Sequence, residues 1–338
     1  MILKTAIHTM VKCAAAGIIA LFVLTAFCLV YSNIPVHLTS KTGTTDYVWE
    51  KHAWYSEMTE GFGTGKMNNE GFNNLEDYTA QSIAVLVMGS SQMEGTTVAQ
   101  TKTTVAVLNK SFNESKYCYN IGISGHSFPH IVSNLETAIH YYTPHEYVVI
   151  ETMSIQFSTK SLEAIIESSV QRIPSYDNGI LFYLQKIPYV RLLYHQYKGI
   201  NGNNEDEAQD QVPDVFDKDQ YAILLDTVMQ RLNQISGAND ITPIIFYHPH
   251  LSLNKDGSAV ADTDNEYLAA FKDACDNNGI QFIDMTGAFM REYQTNHVLP
   301  HGFANTAVGV GHLNKDGHRI IAGELFRRIN EIEQGGSI

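Results

Sequence analysis

Cysteine and positive charge are both scarce in this 338-residue chain. Four cysteines, Cys13 and Cys28 in an apolar N-terminal stretch and Cys118 and Cys275 far apart beyond it, form neither a disulfide framework nor a zinc-ligand spacing. Only 22 Lys+Arg stand against 36 Asp+Glu, a formal charge of −14, and no polybasic run occurs. The counterion release that drives nucleic-acid binding therefore has no source, and nucleic acid is excluded as the main partner. Charged residues make up 17% of the chain and hydrophobic residues 44%, a globular composition that excludes long disorder, collagen and coiled coil. There is no internal repeat.

One long hydrophobic run is present. Residues 13–31, CAAAGIIALFVLTAFCLVY, carry no charge over 19 positions, about the length that crosses roughly 30 Å of hydrocarbon as a helix. Lys4, Lys12 and the amino terminus precede the run, whereas His37, Lys41, Asp46 and Glu50 follow it as a mixture. The positive-inside bias puts the amino terminus in the cytoplasm and the rest in the extracellular or periplasmic space. A cleaved signal peptide is the competing reading, since Val30-Tyr31-Ser32 passes as a cleavage site, but the apolar core is long for one. Phe27 directly before Cys28 argues against a lipoprotein. The expectation is a single-pass protein of the cell membrane, with residues 1–32 as cytoplasmic N-terminus and anchor. Residues 33–80, rich in Thr, Gly, Asn and aromatics without a sustained period, read as a stalk or lead-in, and 81–338 as the catalytic domain.

In that domain, short Val/Ile-rich runs at 83–88, 117–121, 147–150, 243–247 and 280–283 alternate with helix-like stretches near 98–110, 128–142, 219–235, 265–277 and 316–332. Continuous apolar strands separated by helices predict a three-layer α/β/α, flavodoxin-like parallel sheet. An insertion at about 158–218 carries two aromatic-rich helical patches, 162–173 and 181–197, and an acidic, Asn-rich run at 199–211 that reads as an exposed loop. The patch Phe182, Tyr183, Pro188, Tyr189, Leu192, Leu193 and Tyr194 is most simply a packed helix face, and secondarily a lid or acyl-group pocket.

Ligands of such sheets collect outside the carboxyl ends of the strands. Three of those ends hold Gly89-Ser90-Ser91-Gln92, Asn120-Ile121-Gly122-Ile123-Ser124-Gly125-His126-Ser127 and, before the last helix, Gly311-His312-Leu313-Asn314. A serine hydroxyl attacks an ester only when a base takes its proton and N–H groups hold the oxyanion that develops. Ser91 is the candidate nucleophile, His312 the base, and Ser91 and Gly125 the N–H donors. Each has a plainer alternative: Ser91 as a helix-capping turn residue, His312 as a loop histidine, Gly125 as a tight turn.

These blocks resemble the SGNH, or GDSL-like, hydrolase family across about residues 81–334. Gly89-Ser90-Ser91 stands where the family has Gly-Asp-Ser, and this form is also similar to the membrane-anchored SGNH proteins of teichoic-acid D-alanylation. The resemblance implies that Gly125 is the oxyanion-hole glycine. Two blocks depart from the pattern. Glu151-Thr152-Met153-Ser154-Ile155-Gln156 lacks the family's Asn, leaving Ser154 or Gln156 as third donor, and Gly309 stands where the triad Asp belongs. The expectation is a Ser91–His312 dyad with the imidazole oriented by a neutral group such as Asn305, Glu151 and Asp284 being the remaining carboxylates near the cleft.

Two further motifs are set aside. Gly61-Phe62-Gly63-Thr64-Gly65-Lys66 has Glu60 where a phosphate-binding loop needs its first glycine, and Met67 where it needs Ser or Thr. His248-Pro249-His250 lacks a recognisable third metal ligand. The resemblance thus implies a serine esterase acting, without cofactor or metal, on O-acyl (O-acetyl-like) esters of cell-surface glycans through an acyl-enzyme on Ser91. The same residues would serve an O-acyltransferase for a surface polysaccharide, supplied by a membrane-embedded acyl-transfer partner. A third reading, supported by Gly309 and Ile155, is a non-catalytic glycan-binding scaffold.

Overall fold

The computed structural model describes residues 2–40, 47–79, 82–167, 176–177, 180–201 and 218–335. Helix α1 (Ile2–Tyr31) is long and apolar enough, over Lys4–Tyr31, to cross a membrane. Most of its apolar side chains are exposed, and only its last turns touch the rest of the protein, where Cys28 is buried. Short strands β1 (His37–Ser40) and β2 (Tyr47–Trp49) pair, and β3 (Trp54–Glu57) forms an antiparallel hairpin with β4 (Gly63–Lys66).

The central layer follows. Strand β5 (Val85–Met88) leads into the single-turn helix α2 (Ser91–Glu94), then α3 (Thr104–Phe112), β6 (Cys118–Asn120), α4 (Phe128–Ser133), α5 (Leu135–Tyr142) and β7 (Tyr147–Thr152). The insertion contributes α6 (Thr159–Glu167), β8 (Tyr176–Asp177), α7 (Ile180–Gln185) and α8 (Pro188–Asn201). The sheet resumes with α9 (Lys218–Gly237), β9 (Thr242–Tyr247), the hairpin β10 (Leu251–Leu253) and β11 (Ala259–Ala261), α10 (Asn265–Asn277) and β12 (Gln281–Asp284). Helix α11 (Thr286–Asn296), the hairpin β13 (His301–Gly302) and β14 (Val308–Leu313), and α12 (Lys315–Glu333) end the domain.

All five expected strands form one parallel sheet in the order β12-β9-β7-β5-β6. Strands β5 and β7 are buried at every position, which is why they read as unbroken apolar runs. Residues such as Leu86, Val148 and Ile150 pack on α4, α5, α9 and α10, while Val85, Val87 and Val149 pack on α3, α11 and α12. Chain order along the sheet reverses between β5 and β7, and at that switch point the strand ends splay a crevice.

Residues 47–79 do not stand off as a stalk. Val48 and Phe72 join the main core. Asn68 donates to the Tyr119 hydroxyl (2.7 Å), and Asn74 exchanges hydrogen bonds with the backbone of Asn120 (2.8 and 2.9 Å). The segment lacks a period because its hairpin is glycine-rich: the buried positions of β4 are Gly63 and Gly65, which pack backbone against neighbours and give no apolar signal. The helical stretch expected over 128–142 is two helices meeting at Asn134. The patch expected at 162–173 is helical to Glu167, and its remainder lies outside the described residues, as does most of the acidic run 199–211.

His318, in the first turn of α12, is buried, its Nδ1 accepting from the Thr104 backbone N–H (3.2 Å) and lying 2.8 Å from the Thr104 hydroxyl. Burial, then the nearby His248 and His312, depress its pKa to about 3. An unfolded histidine titrates near 6.5, so between these values the unfolded chain binds the extra proton and stability falls as pH falls. Denaturant titrations at pH 7 and 5.5 are expected to differ by about 1 kcal/mol through this residue. His318→Gln removes that difference; an unchanged slope in the variant assigns it elsewhere.

Candidate active site

The sharp turn after β5 presents Ser91 as the first residue of α2, with Ser90 as N-cap, its hydroxyl accepting from the Gln92 N–H (3.2 Å). The first N–H groups of a helix have no partner within it, and among the described residues no acceptor takes the Ser91 N–H. Gly125, at φ +83, leaves its own N–H similarly uncommitted on the opposite lip. The turn between them is pinned by Asn120, whose side chain donates to Met93 O (2.8 Å) and accepts from the Gly122 N–H (2.9 Å).

Strand β14 delivers His312 to the same place. Its Nε2 lies 3.0 Å from Ser91 Oγ, and Gln92 Oε1 accepts the Leu313 N–H (2.6 Å), clamping the two loops together. The other face of His312 meets a carboxylate. Glu60 Oε2 is 2.7 Å from His312 Nδ1, and Glu60 Oε1 accepts the His312 backbone N–H at 2.8 Å. Burial pushes the Glu60 carboxyl up, but the His312 hydrogen bonds and charge outweigh it and hold it below the usual carboxylate range. An ionised Glu60 fixes the proton of neutral His312 on Nδ1 and leaves the Nε2 lone pair for the Ser91 hydroxyl.

The dyad expectation is therefore corrected: a carboxylate orients the imidazole, and it comes from 31 residues before Ser91 rather than from the segment around Gly309. Asn305 is committed elsewhere. It accepts from the Gly61 N–H (3.0 Å) and donates to Met58 O (3.0 Å) and Gly61 O (2.9 Å), so it holds the loop that carries Glu60. Glu151 lines the cleft but is committed below it, accepting from the Ser90 N–H (2.6 Å) and pairing with buried His248 Nε2 (2.9 Å). Asp284 accepts from the Thr286 N–H (2.8 Å) at the start of α11. Ser154 borders the cleft, whereas Gln156 reaches away to Asp264 (3.4 Å). Ile155 is buried in the core, where its carbonyl accepts from Tyr221. His248 and His250 serve different partners, His250 Nε2 lying 3.1 Å from Gly311 O.

The glycines set aside as a failed phosphate loop have a steric explanation. A Cβ at Gly63 would lie 1.7 Å from Thr96 O, so only glycine lets the β3–β4 hairpin press on the loop after α2. Gly311, at φ +93, leaves the space that Glu60 Oε1 fills, 2.3 Å from where its Cβ would be. Gly63→Ala is expected to cost about 1–3 kcal/mol by overpacking and to lower activity with it, read by urea titration, whereas Thr64→Ala, at an exposed position, leaves both unchanged.

Ser91, Gly125, Glu151, Thr152, Ser154, His250 and His312 line one cleft of about 610 Å³, a volume typical of small-molecule sites. No family model matches the chain, and no curated protein does. Among solved structures it is similar to the psychrotrophic esterase EstA from Pseudoalteromonas sp. at 14% identity and a TM-score of 0.39, over 74% of this chain and 98% of that one. It is similar to an acetyl xylan esterase, AlAXEase, at 15% and 0.42, over 72% and 99%. A third, TesA, stands at 13% and 0.38, over 72% and 97%. All three superpose loosely, and the chemistry is carried by the side chains of the cleft.

Proposed function

We propose that this protein is a serine ester hydrolase working through an acyl-enzyme on Ser91. The observation that carries the reading is the continuous relay Ser91 Oγ–His312 Nε2 (3.0 Å) and His312 Nδ1–Glu60 Oε2 (2.7 Å). In the first half-reaction His312 takes the Ser91 proton as Oγ attacks the ester carbonyl. The Ser91 and Gly125 N–H groups receive the oxyanion, and the imidazolium, stabilised by Glu60, returns the proton to the leaving alcohol. A water, activated by the same histidine, then releases the acid. The presence of an acid favours catalysis over the scaffold reading.

The substrate class we infer is an O-acyl ester of a cell-surface glycan, handled outside the cytoplasmic membrane on a domain tethered by α1. The anchor supports an envelope location, and the charges flanking it support the orientation. Transfer to a glycan hydroxyl would use the same acyl-enzyme, with the acceptor in place of water. An activated aryl acetate, supplied with and without acceptor glycan, separates the outcomes. Free acetate at an undiminished rate with acceptor present supports hydrolysis, acetylated glycan supports transfer, and no turnover by folded protein contradicts both.

A further inference from the structure

The insertion helices expose apolar side chains at helical spacing. On α7, Ile180, Tyr183 and Leu184, at i, i+3 and i+4, are 79%, 60% and 47% exposed, and Ile187 in the bend before α8 is 36% exposed; Leu193 and Tyr197, at i and i+4 on α8, are 63% and 66% exposed. These side chains face outward on two short helices; of the patch read from the sequence as a packed face, Tyr183 and Leu193 are exposed, while Pro188, Tyr189, Leu192 and Tyr194 are half-buried. The stripe sits beside the outer end of α1. Helix α8 packs on α1 and α7 on α8, and buried Arg191 of α8 donates to Ile34 O (2.6 Å) just past the helix. Strand β8 of the insertion pairs with β1 of the lead-in. Ser56 Oγ donates to Leu29 O (2.7 Å), and exposed Trp54 stands on the same strand β3. Apolar stripes with Trp and Tyr at the end of a spanning helix are what a headgroup–acyl boundary accepts.

We propose that the exposed face of α7–α8 lies in the outer boundary of the bilayer that α1 crosses, so that the domain rests on the membrane through a second contact. This rests on α1 being a retained anchor. Among the described side chains of this face the contact is apolar, since Lys186 pairs with Glu50 (2.7 Å) and Arg191 is buried. The arrangement also places the chemistry near the surface. Ser32, one residue past α1, bridges Glu57, and Glu60 follows three residues later, at most about 11 Å of extended chain. Esters carried on or close to the bilayer would therefore be within reach of the cleft, whereas those held far above it would not.

The test uses the full chain in phosphatidylcholine vesicles, with Trp54→Phe as background, whose remaining buried Trp49 gives an emission subtracted from each variant, and one added tryptophan as Leu184→Trp, Leu193→Trp or Ile223→Trp. Ile223 is 66% exposed on α9 and serves as control. Lipids brominated near the glycerol end are expected to quench the first two at least twofold more than the control, equally at low and high salt, in variants that retain aryl acetate turnover. Absence of that quenching, with α1 still resistant to carbonate extraction, overturns the lipid contact while leaving the anchor. Extraction of the chain by carbonate overturns the anchor and the contact with it. Burial of the two tryptophans only in native membranes, by a protein neighbour, also contradicts a lipid occupant.

Discussion

Glu60→Gln is expected to lower kcat/KM by about 10³-fold, about 4 kcal/mol of transition-state stabilisation, in a protein that still folds. Loss of the triad acid costs about 10⁴ in serine proteases, where it sets the histidine tautomer and stabilises the imidazolium. Here the carboxylate side chain is 26% exposed, so water replaces part of its effect. The glutamine amide can still accept from the His312 N–H, so the loop stays in place and the loss falls on kcat rather than KM. Asp284→Asn, which touches only a helix start, is expected to change kcat/KM less than about tenfold, under 1.4 kcal/mol. Steady-state kinetics on an aryl acetate, with folding verified by circular dichroism, read the comparison; equal losses in the two variants would remove Glu60 from the relay.

The second large effect belongs to the proposed nucleophile. Ser91→Ala removes the atom proposed to form the acyl-enzyme and is expected to abolish turnover, leaving stability within about 0.5 kcal/mol because the partly exposed hydroxyl fills little space. Ser90→Ala loses the N-cap bond to Gln92, about 1 kcal/mol, and costs less than tenfold in rate. If Ser90→Ala is the inactive variant, the nucleophile is assigned one residue too late.

The sheet was legible because its strands are covered on both faces, and such strands announce themselves as unbroken runs like Val85–Met88. Ser91, Gly125 and His312 were legible because they stand directly after strands or before the last helix, where an open α/β sheet places its ligands. Glu60 was not. It lies in an irregular segment with no period, and its contact with His312 spans 252 residues of chain. The trace it leaves is the glycine run from Gly61 to Gly65, residues that close backbone packing requires as much as a phosphate loop does. Asn305 holds the loop that carries the acid rather than the imidazole, through bonds to Met58 and Gly61 that its place in the sequence does not announce.

The most direct test of the Ser91–His312–Glu60 relay is covalent capture by a fluorophosphonate, followed by intact mass and peptide mapping of the full chain. One adduct at Ser91 is expected, formed rapidly in the unaltered protein, far more slowly in Glu60→Gln and not at all in His312→Ala. An adduct at another residue, or labelling of Ser91 at an unchanged rate without His312, would contradict the account.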